Sequence, residues 1–499
     1  MALDVGSTAT RGSVHDARGI PVRGFRHKIP HAFTTGTDGT STIDPDQVVE
    51  ELARVLDVVT LHPDLTGRIT AVALDTFASS LVGVDARGRA TTPCFTYADR
   101  RSAPQLATLR REVDEAEIQQ LTGARLHTSY LTPRFRWLRE THPQEFGRTV
   151  RWLSIGEYAE LTWLGRTAAG TSTAAWTGLL DRRTGDWSER MLDLARVDRA
   201  ALSDIAAPNA PMRGVPHVTN SRWPALADAA WFPAIADGLG ANLGSGGTDG
   251  TTLVTSMATS GAMRVLLHHQ PDEIPSGLWC YRIDDRRALL GGALNDVGRA
   301  VEWIGRTMAL DTDLPTIASA APAPGTPTVL PFFSGERSTG WAGSARALLA
   351  DVSAASDGAA LARGVLEGLV VSYARVAAQL VEAAEDSRQG EGNRRTVERV
   401  VVAGRVSQDL PGLRQMLADC LGRPVLPATF KRSTLRGTAL LAAETVVSGT
   451  PPADPPLEEA CVPHREHRAH WDAVAERFGN LYPSTTRENP TAPAALPGR

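Results

Sequence analysis

The chain has 499 residues, of which 42% are hydrophobic and 22% charged, with a formal net charge of -4. That length suggests two or three domains with a sizeable core, and the balance argues against disorder and offers no basic footprint for nucleic acid or an anionic membrane. Cys94, Cys280, Cys420 and Cys461 never form a C-x-x-C pair, so neither a disulfide framework nor a thiolate metal site is indicated.

In chain order, "ALDVGSTATRGSVHDARGIPV" reads as strand, Gly-Ser-Thr turn, strand, and a second turn at "DARG". "DPDQVVEELARVLDVV" begins a helix with Asp44 as N-cap and Pro45 at its first position. "RITAVALDT" and "LVGVDARG" return to strand character, and "TPRFRWLRETH" repeats the cap-then-proline start at Thr132 and Pro133. "TTLVTSMATSGAMRVLL" then restarts the pattern of strand, small-residue turn and strand, which suggests two α/β halves from an old duplication. Leu366, Leu369, Val370, Tyr373, Val376, Ala377 and Leu380 build one apolar helix face, "VERVVVAG" is a buried strand, and "STLRGTALLAAETVV" is a further helix. A helical segment is expected around "AHWDAVAERFGNLY", followed by a tail of disordered composition over 484–499. No signal-like start and no uninterrupted apolar run of bilayer length is found, so a cytoplasmic protein acting on a small molecule is expected, without nucleic-acid or membrane partners.

Chemistry concentrates in three stretches. In "DVGSTATR", Asp4 ends a strand and is followed by Gly6, Ser7, Thr8 and Arg11; glycine admits a ligand close to backbone, hydroxyls and turn N–H groups donate to phosphate, and the acid can hold a hydrated Mg²⁺. "MATSGAMR" repeats that turn with Thr259, Ser260 and Gly261, and places Arg264 where the first half has Arg11. Two such turns facing one another could grip a polyphosphate from both sides, and no G-x-x-x-x-G-K-[ST] loop offers another route. Between them lies "ADGLGANLGSG", where Asp237 stands in an expected loop whose glycines leave room for a substrate. A carboxylate there can accept a hydroxyl proton during phosphoryl transfer, although an ordinary Asp-Gly turn explains the same residues.

These motifs, with "YADRR", "PFFSGERSTGW", "VVAGRVSQDLPGLRQMLADCLGRPV" and "STLRGTALLA" in the same order, resemble the FGGY carbohydrate kinases of the actin-like ATPase superfamily. The resemblance runs to about Tyr482, and "LTGARLHTSYLTPRFRWLRETHPQEF" and "WTGLLDRRTGDW" are most similar to the gluconate kinase branch. It implies two ribonuclease-H-like α/β domains, placed at 1–244 and 245–483, with ATP and a carbohydrate in the cleft between them. It also implies Asp237 as general base, Asp4 as the acid that holds Mg²⁺ through water, and nucleotide contacts from Gly6, Ser7, Thr8, Arg11, Thr259, Ser260, Gly261, Gly298, Gly404 and Arg405. Substrate contacts fall at Ser79, Asp99 and Arg100 beside Asp237, and a homodimer is compatible with the chain.

Several positions depart from the family pattern. Only three residues precede Asp4, Arg11 replaces a usual lysine, Arg405 follows Gly404 where a small residue is usual, and Gly170 falls where an acid is common. They motivate a second reading, a catalytically impaired sugar-binding or regulatory protein of the same fold. An aldonate substrate would need a cation for its carboxylate, for which Arg100, Arg101, Arg134 and Arg136 are candidates, each also readable as an ordinary salt-bridging arginine. Glu336 and Arg337 read as a structural loop pair that could also contact ligand. His464, His467 and His470 drift around a helix without a closed ligand set, so a solvated terminal helix is expected there rather than a metal site.

Overall fold

A computed structural model describes residues 1–212, 222–386, 396–429 and 432–486. Only the elements used below are numbered. The first hairpin is as read: β1 (Ala2–Val5) and β2 (Ala9–His15) pair antiparallel, and β3 (Pro21–Pro30) extends the ribbon. The turn into β3 closes on Asp16, whose carboxylate accepts from the N–H groups of Arg18 and Ile20. Helix α1 (Pro45–Thr60) starts at Asp44, which accepts from Asp46 N and Gln47 N, and buries Val48, Leu52, Val55, Leu56 and Val59 against one face of the sheet.

Strand β4 (Ala71–Thr76) runs parallel to β1, and the short β5 (Ala230–Trp231) and β6 (Ile235–Ala236) both pair with β4. The first sheet therefore reads β5-β4-β1-β2-β3, with β6 also on β4. Asp237 does not sit in a loop: it is the first residue of helix α2 (Asp237–Gly244).

The second half repeats the plan. Strands β7 (Thr252–Met257) and β8 (Gly261–Leu267) form the hairpin, β9 (Trp279–Arg282) and β10 (Ala288–Leu294) extend its antiparallel side, and helix α3 (Gly298–Thr307) follows. Helix α4 (Gly358–Asp386) leads to β11 (Arg399–Ala403), which pairs parallel with β7, then α5 (Pro411–Leu421) and the parallel β12 (Val425–Pro427). The sheet order is β9-β10-β8-β7-β11-β12. Each half thus joins an antiparallel ribbon to parallel strands at its first strand, the arrangement expected of a duplicated unit. By length and composition α4 could cross a bilayer, but Leu366, Leu369, Val370, Tyr373, Val376, Ala377 and Leu380 are all buried in the second core. Helix α6 (Ser433–Val446) then returns to pack on β4 and β1, and α7 (Arg468–Thr486) buries Trp471, Val474 and Phe478 beside α4 and α5.

Two further expectations are corrected. The helix Leu131–Thr141 has Tyr130 as N-cap with no side-chain cap bond, so Thr132 and Pro133 lie inside its first turn, where proline's missing N–H costs nothing. Residues 484–486 belong to α7 and not to a tail; the remaining tail residues lie outside the described residues.

The glycines after Asp237 serve backbone packing. Helices α2 and α6 cross so closely that a Cβ on Gly437 would overlap the Gly240 carbonyl, and one on Gly244 would overlap that of Ser433. A side chain at any of these points must push the helices apart. Gly437→Ala is therefore expected to destabilise the protein by about 3 kcal/mol, as overpacking does, and to lower activity along with it, because α2 begins with Asp237 and α6 carries Thr438. Thermal unfolding and turnover of purified Gly437→Ala, read together, check this.

Candidate active site

Three carboxylates converge where β1, β4 and α2 meet. The parallel register sets Asp4 beside Asp75 and Asp75 beside Ile235, and the chain turns into α2 two residues later at Asp237. Side chains on a strand alternate faces, so register neighbours point the same way. Asp4 and Asp75 are both buried, and Asp237 is half-buried.

Like charges this close cannot all be ionised, and the surroundings separate them. Asp4 faces Arg11 across the hairpin, Nη1 to Oδ2 at 2.7 Å; burial raises its pKa, while Arg11 pulls it back. Asp75 Oδ2 accepts from Thr438 Oγ1 of α6 at 2.6 Å, and its buried Oδ1 meets no protein donor. Burial first, and then the charges of Asp4 and Asp237, push the Asp75 pKa well up. These effects push Asp75 towards its protonated form, beside the Asp4 carboxyl on the neighbouring strand. Asp237 is pushed up to about 6, by burial and then by Asp4, against the pull of Arg264 and the Gly238 N–H.

Arg264 does not repeat Arg11. Its cross-strand neighbour on β7 is Val254, with no carboxylate to hold it, and its charge acts on Asp237. Its Nε is buried without a hydrogen-bond partner. Trp176 closes this side: a Cβ on Gly238 would lie 3.1 Å from its ring, which stacks on Tyr281 at 3.8 Å, and the Tyr281 and Tyr130 hydroxyls meet at 2.6 Å.

The two hairpin turns present exposed hydroxyls at Ser7, Thr8, Thr259 and Ser260. Gly6 N donates to the Ala9 carbonyl, and the Gly6 carbonyl lies 2.8 Å from His31 Nε2. His31 Nδ1 lies 2.8 Å from Glu51, which also accepts from Thr10 Oγ1, so α1 braces the first turn from below. In the second turn Gly261 has Tyr373 beneath it, where a Cβ would overlap the hydroxyl, and Gly298 N donates to the Ala258 carbonyl at 2.8 Å. Gly298 opens α3, whose start thus lies against that turn.

The other candidates are distributed differently. Asp99 is taken by Arg101 and the Ser41 N–H, and Ser79 Oγ donates to the Trp176 carbonyl. Arg134 donates to the carbonyls of Ser79 and Thr96, and Arg136 pairs with Glu112 and the Leu194 carbonyl. Arg100 is exposed, and its charge and that of Arg337 both act on His127, whose pKa falls to about 3, chiefly through burial. Glu336 holds its own loop through Gly340 N, Ala342 N and the Tyr482 hydroxyl, while Arg337 Nε is buried with no hydrogen-bond partner.

The positions that motivated an impaired protein find physical explanations. Strand β1 is complete enough to pair on both sides. Gly404, at φ +112, leaves no room for a Cβ beneath the Met257 carbonyl, and Arg405 turns outward, 88% exposed, to pair with Asp409. A side chain at Gly170 would overlap the Ala234 carbonyl, so no acid fits there.

Asp75, Thr438, Trp176 and the pair His31 and Glu51 were missed in the sequence. A lone acid ending an apolar strand, as Asp75 does in "AVALDT", was the available signal.

The chain aligns with the gluconokinase of Bacillus subtilis (strain 168) at 21% identity over 87% of this chain and 85% of that protein. It aligns with a glycerol kinase of Paracidovorax citrulli at 25% over 90% and 92%. Among solved structures, a gluconate kinase from Lactobacillus acidophilus superposes with a TM-score of 0.87 at 21% identity, covering 97% of this chain and 98% of that one, so the two-domain actin-like fold is shared. The sequence models for the N-terminal and C-terminal domains of FGGY carbohydrate kinases match residues 1–216 and 253–445, and the chain belongs to the FGGY family of carbohydrate kinases.

Proposed function

We propose that this protein transfers the γ-phosphoryl group of ATP to a hydroxyl of a sugar acid of the gluconate type, with Asp237 as general base, across a cleft between domains dividing near residues 244 and 245. The observation that carries the reading is the placement of Asp237: a carboxylate at a helix start, between the acid of one hairpin and the arginine of the other, with a pKa of about 6. Such a group is ionised at neutral pH yet basic enough to take a proton as the hydroxyl oxygen attacks phosphorus.

The other residues position and neutralise. Ser7, Thr8, Thr259 and Ser260 and the turn N–H groups bind phosphate oxygens from two sides, with Arg11 adding positive charge, while Gly298, Gly404 and Arg405 border the nucleoside. Asp4, a hard oxygen donor next to the first turn, fits the acid that would hold a hydrated Mg²⁺, and that ion supplies charge neutralisation on the phosphates. Arg11 fixes the orientation of Asp4, and Thr438 that of the neighbouring Asp75. Trp176, packed over Gly238, shields this side of the site and keeps water from competing as acceptor.

For the carboxylate of the substrate, Arg101, Arg134 and Arg136 are already committed to protein partners, which leaves Arg100 and Arg337 beside His127. The gluconokinase and gluconate kinase relatives support the same class.

Asp237→Asn is expected to lower kcat by roughly 10²–10⁴-fold with little change in carbohydrate affinity, the usual scale for losing a general base; a coupled ADP-release assay with isothermal titration checks both, and near-normal turnover would sink the assignment. Because Asp237 acts ionised, kcat/KM should fall as pH drops through about 6. The stability effect has the opposite sign: a carboxyl whose folded pKa lies above its unfolded value weakens the fold as pH rises through about 6. Asp237→Asn should therefore melt higher than the wild type at pH 8, with the gap closing towards pH 4. Arg337→Gln should raise KM for gluconate about 10-fold while leaving that for uncharged polyols unchanged, since one charged hydrogen bond is at stake; equal changes for both classes would place the carboxylate elsewhere.

A further inference from the structure

The histidines near the C-terminus do not behave as a uniformly solvated helix face. His464 precedes a 3-10 turn, Arg465–His467, and in that tighter helix residues three apart are eclipsed, so His464 and His467 project to the same side. Both imidazoles meet Asp419 on α5: His467 Nδ1 lies 2.8 Å from Oδ2, and His464 Nδ1 lies 3.2 Å from each carboxylate oxygen. One ligand atom from each of the three residues falls within 4.8 Å of the others. His470 has drifted away and faces Glu367 at 3.1 Å.

We propose that Asp419, His464 and His467 form a binding site for a divalent transition ion of the zinc class, which clasps the start of α7 to α5. Nitrogen and carboxylate ligands suit that class, and tetrahedral coordination with bonds of about 2.0–2.1 Å sets ligand atoms about 3.3 Å apart. The two nitrogen-to-carboxylate separations, 2.8 and 3.2 Å, already lie near that value.

Charge and support point the same way. Asp419 is 5% exposed, and among the described residues its ion-pair partners are these two imidazoles, with no lysine or arginine. Its carboxylate is held by Gln415 Nε2 and by the His464 N–H, both at 2.8 Å to Oδ1, and Gln415 also donates to the Val462 carbonyl. Such outer bonds orient ligands in metal sites. His464, 45% exposed, leaves an open side through which an ion can enter and where water can complete the coordination.

The site lies on the outer helices of the second half, and its consequence is mechanical. Helix α7 ends at the loop carrying Arg337, where the Tyr482 hydroxyl donates to Glu336 at 2.7 Å and the Tyr482 ring receives Arg375 at 3.9 Å. An ion fixing the start of α7 thus steadies that loop from a distance.

The test uses the full chain stripped with chelator and titrated with ZnCl₂ by calorimetry and with CoCl₂ by visible absorption. The expected result is one ion per chain, a tetrahedral Co²⁺ spectrum and a raised melting temperature, with affinity lost as pH falls because protons compete for the imidazoles. His467→Ala and His464→Ala should each weaken binding at least 100-fold, Gln415→Ala about 10-fold, and His470→Ala not at all. Absence of saturable one-to-one binding, or equal binding by wild type and both single-histidine variants, would overturn the proposal and leave the three residues as a hydrogen-bonded cluster.

Discussion

Everything around the candidate site follows from placing three carboxylic acids at adjacent chain positions in space. With Asp4, Asp75 and Asp237 on neighbouring strands and a helix start, full ionisation would pit three charges against one another in a partly dry site. The chain eases this with two arginines, while burial raises the pKa of all three carboxyls. Arg11 takes Asp4, the charge of Arg264 acts on Asp237, and Asp75, the most buried of the three, is pushed towards its protonated form and accepts from Thr438. That assignment needs the strands in register and α6 close to β4, and the glycine-to-glycine crossing of α2 and α6 brings the helix backbone near enough for Thr438 to reach.

The two hairpins show how a duplicated unit acquires different jobs. In the first, acid and arginine are cross-strand partners, Asp4 opposite Arg11, and their pairing is local. In the second, Arg264 stands one residue further from the turn, opposite Val254, so it has no carboxylate across the hairpin and its charge acts on Asp237. A hydrophobic cluster that joins Leu239 of α2 to Leu266, Trp279 and Tyr281 of the second sheet holds that geometry.

Much of this was legible because it is written in local pattern. Hairpin turns, the Asp44 cap and the α4 face depend on residues within a few positions of one another, and each appears as read. Asp237 was found as a residue but misplaced as a loop, because glycine-rich sequence resembles a turn whenever the partner helix that needs those glycines lies about two hundred residues away. Asp75 and Thr438 stand far apart in sequence and meet only through tertiary packing. The histidines were judged by α-helical drift, whereas a 3-10 turn eclipses two of them and α5 supplies the acid.

The value near 6 for Asp237 is a balance and not a consequence of burial alone. A carboxylate at the first position of a helix is favoured by the unsatisfied N–H groups and the positive end of the dipole, and here the Gly238 N–H also lowers its pKa. Arg264 acts in the same direction. Burial and Asp4 act against them and prevail. Asp4 thus makes the group a stronger base, and Arg264 a weaker one. Arg11 in turn pairs with Asp4 and offsets the rise that burial causes there, so the basicity of Asp237 depends on a pair within the first hairpin as well as on its own surroundings.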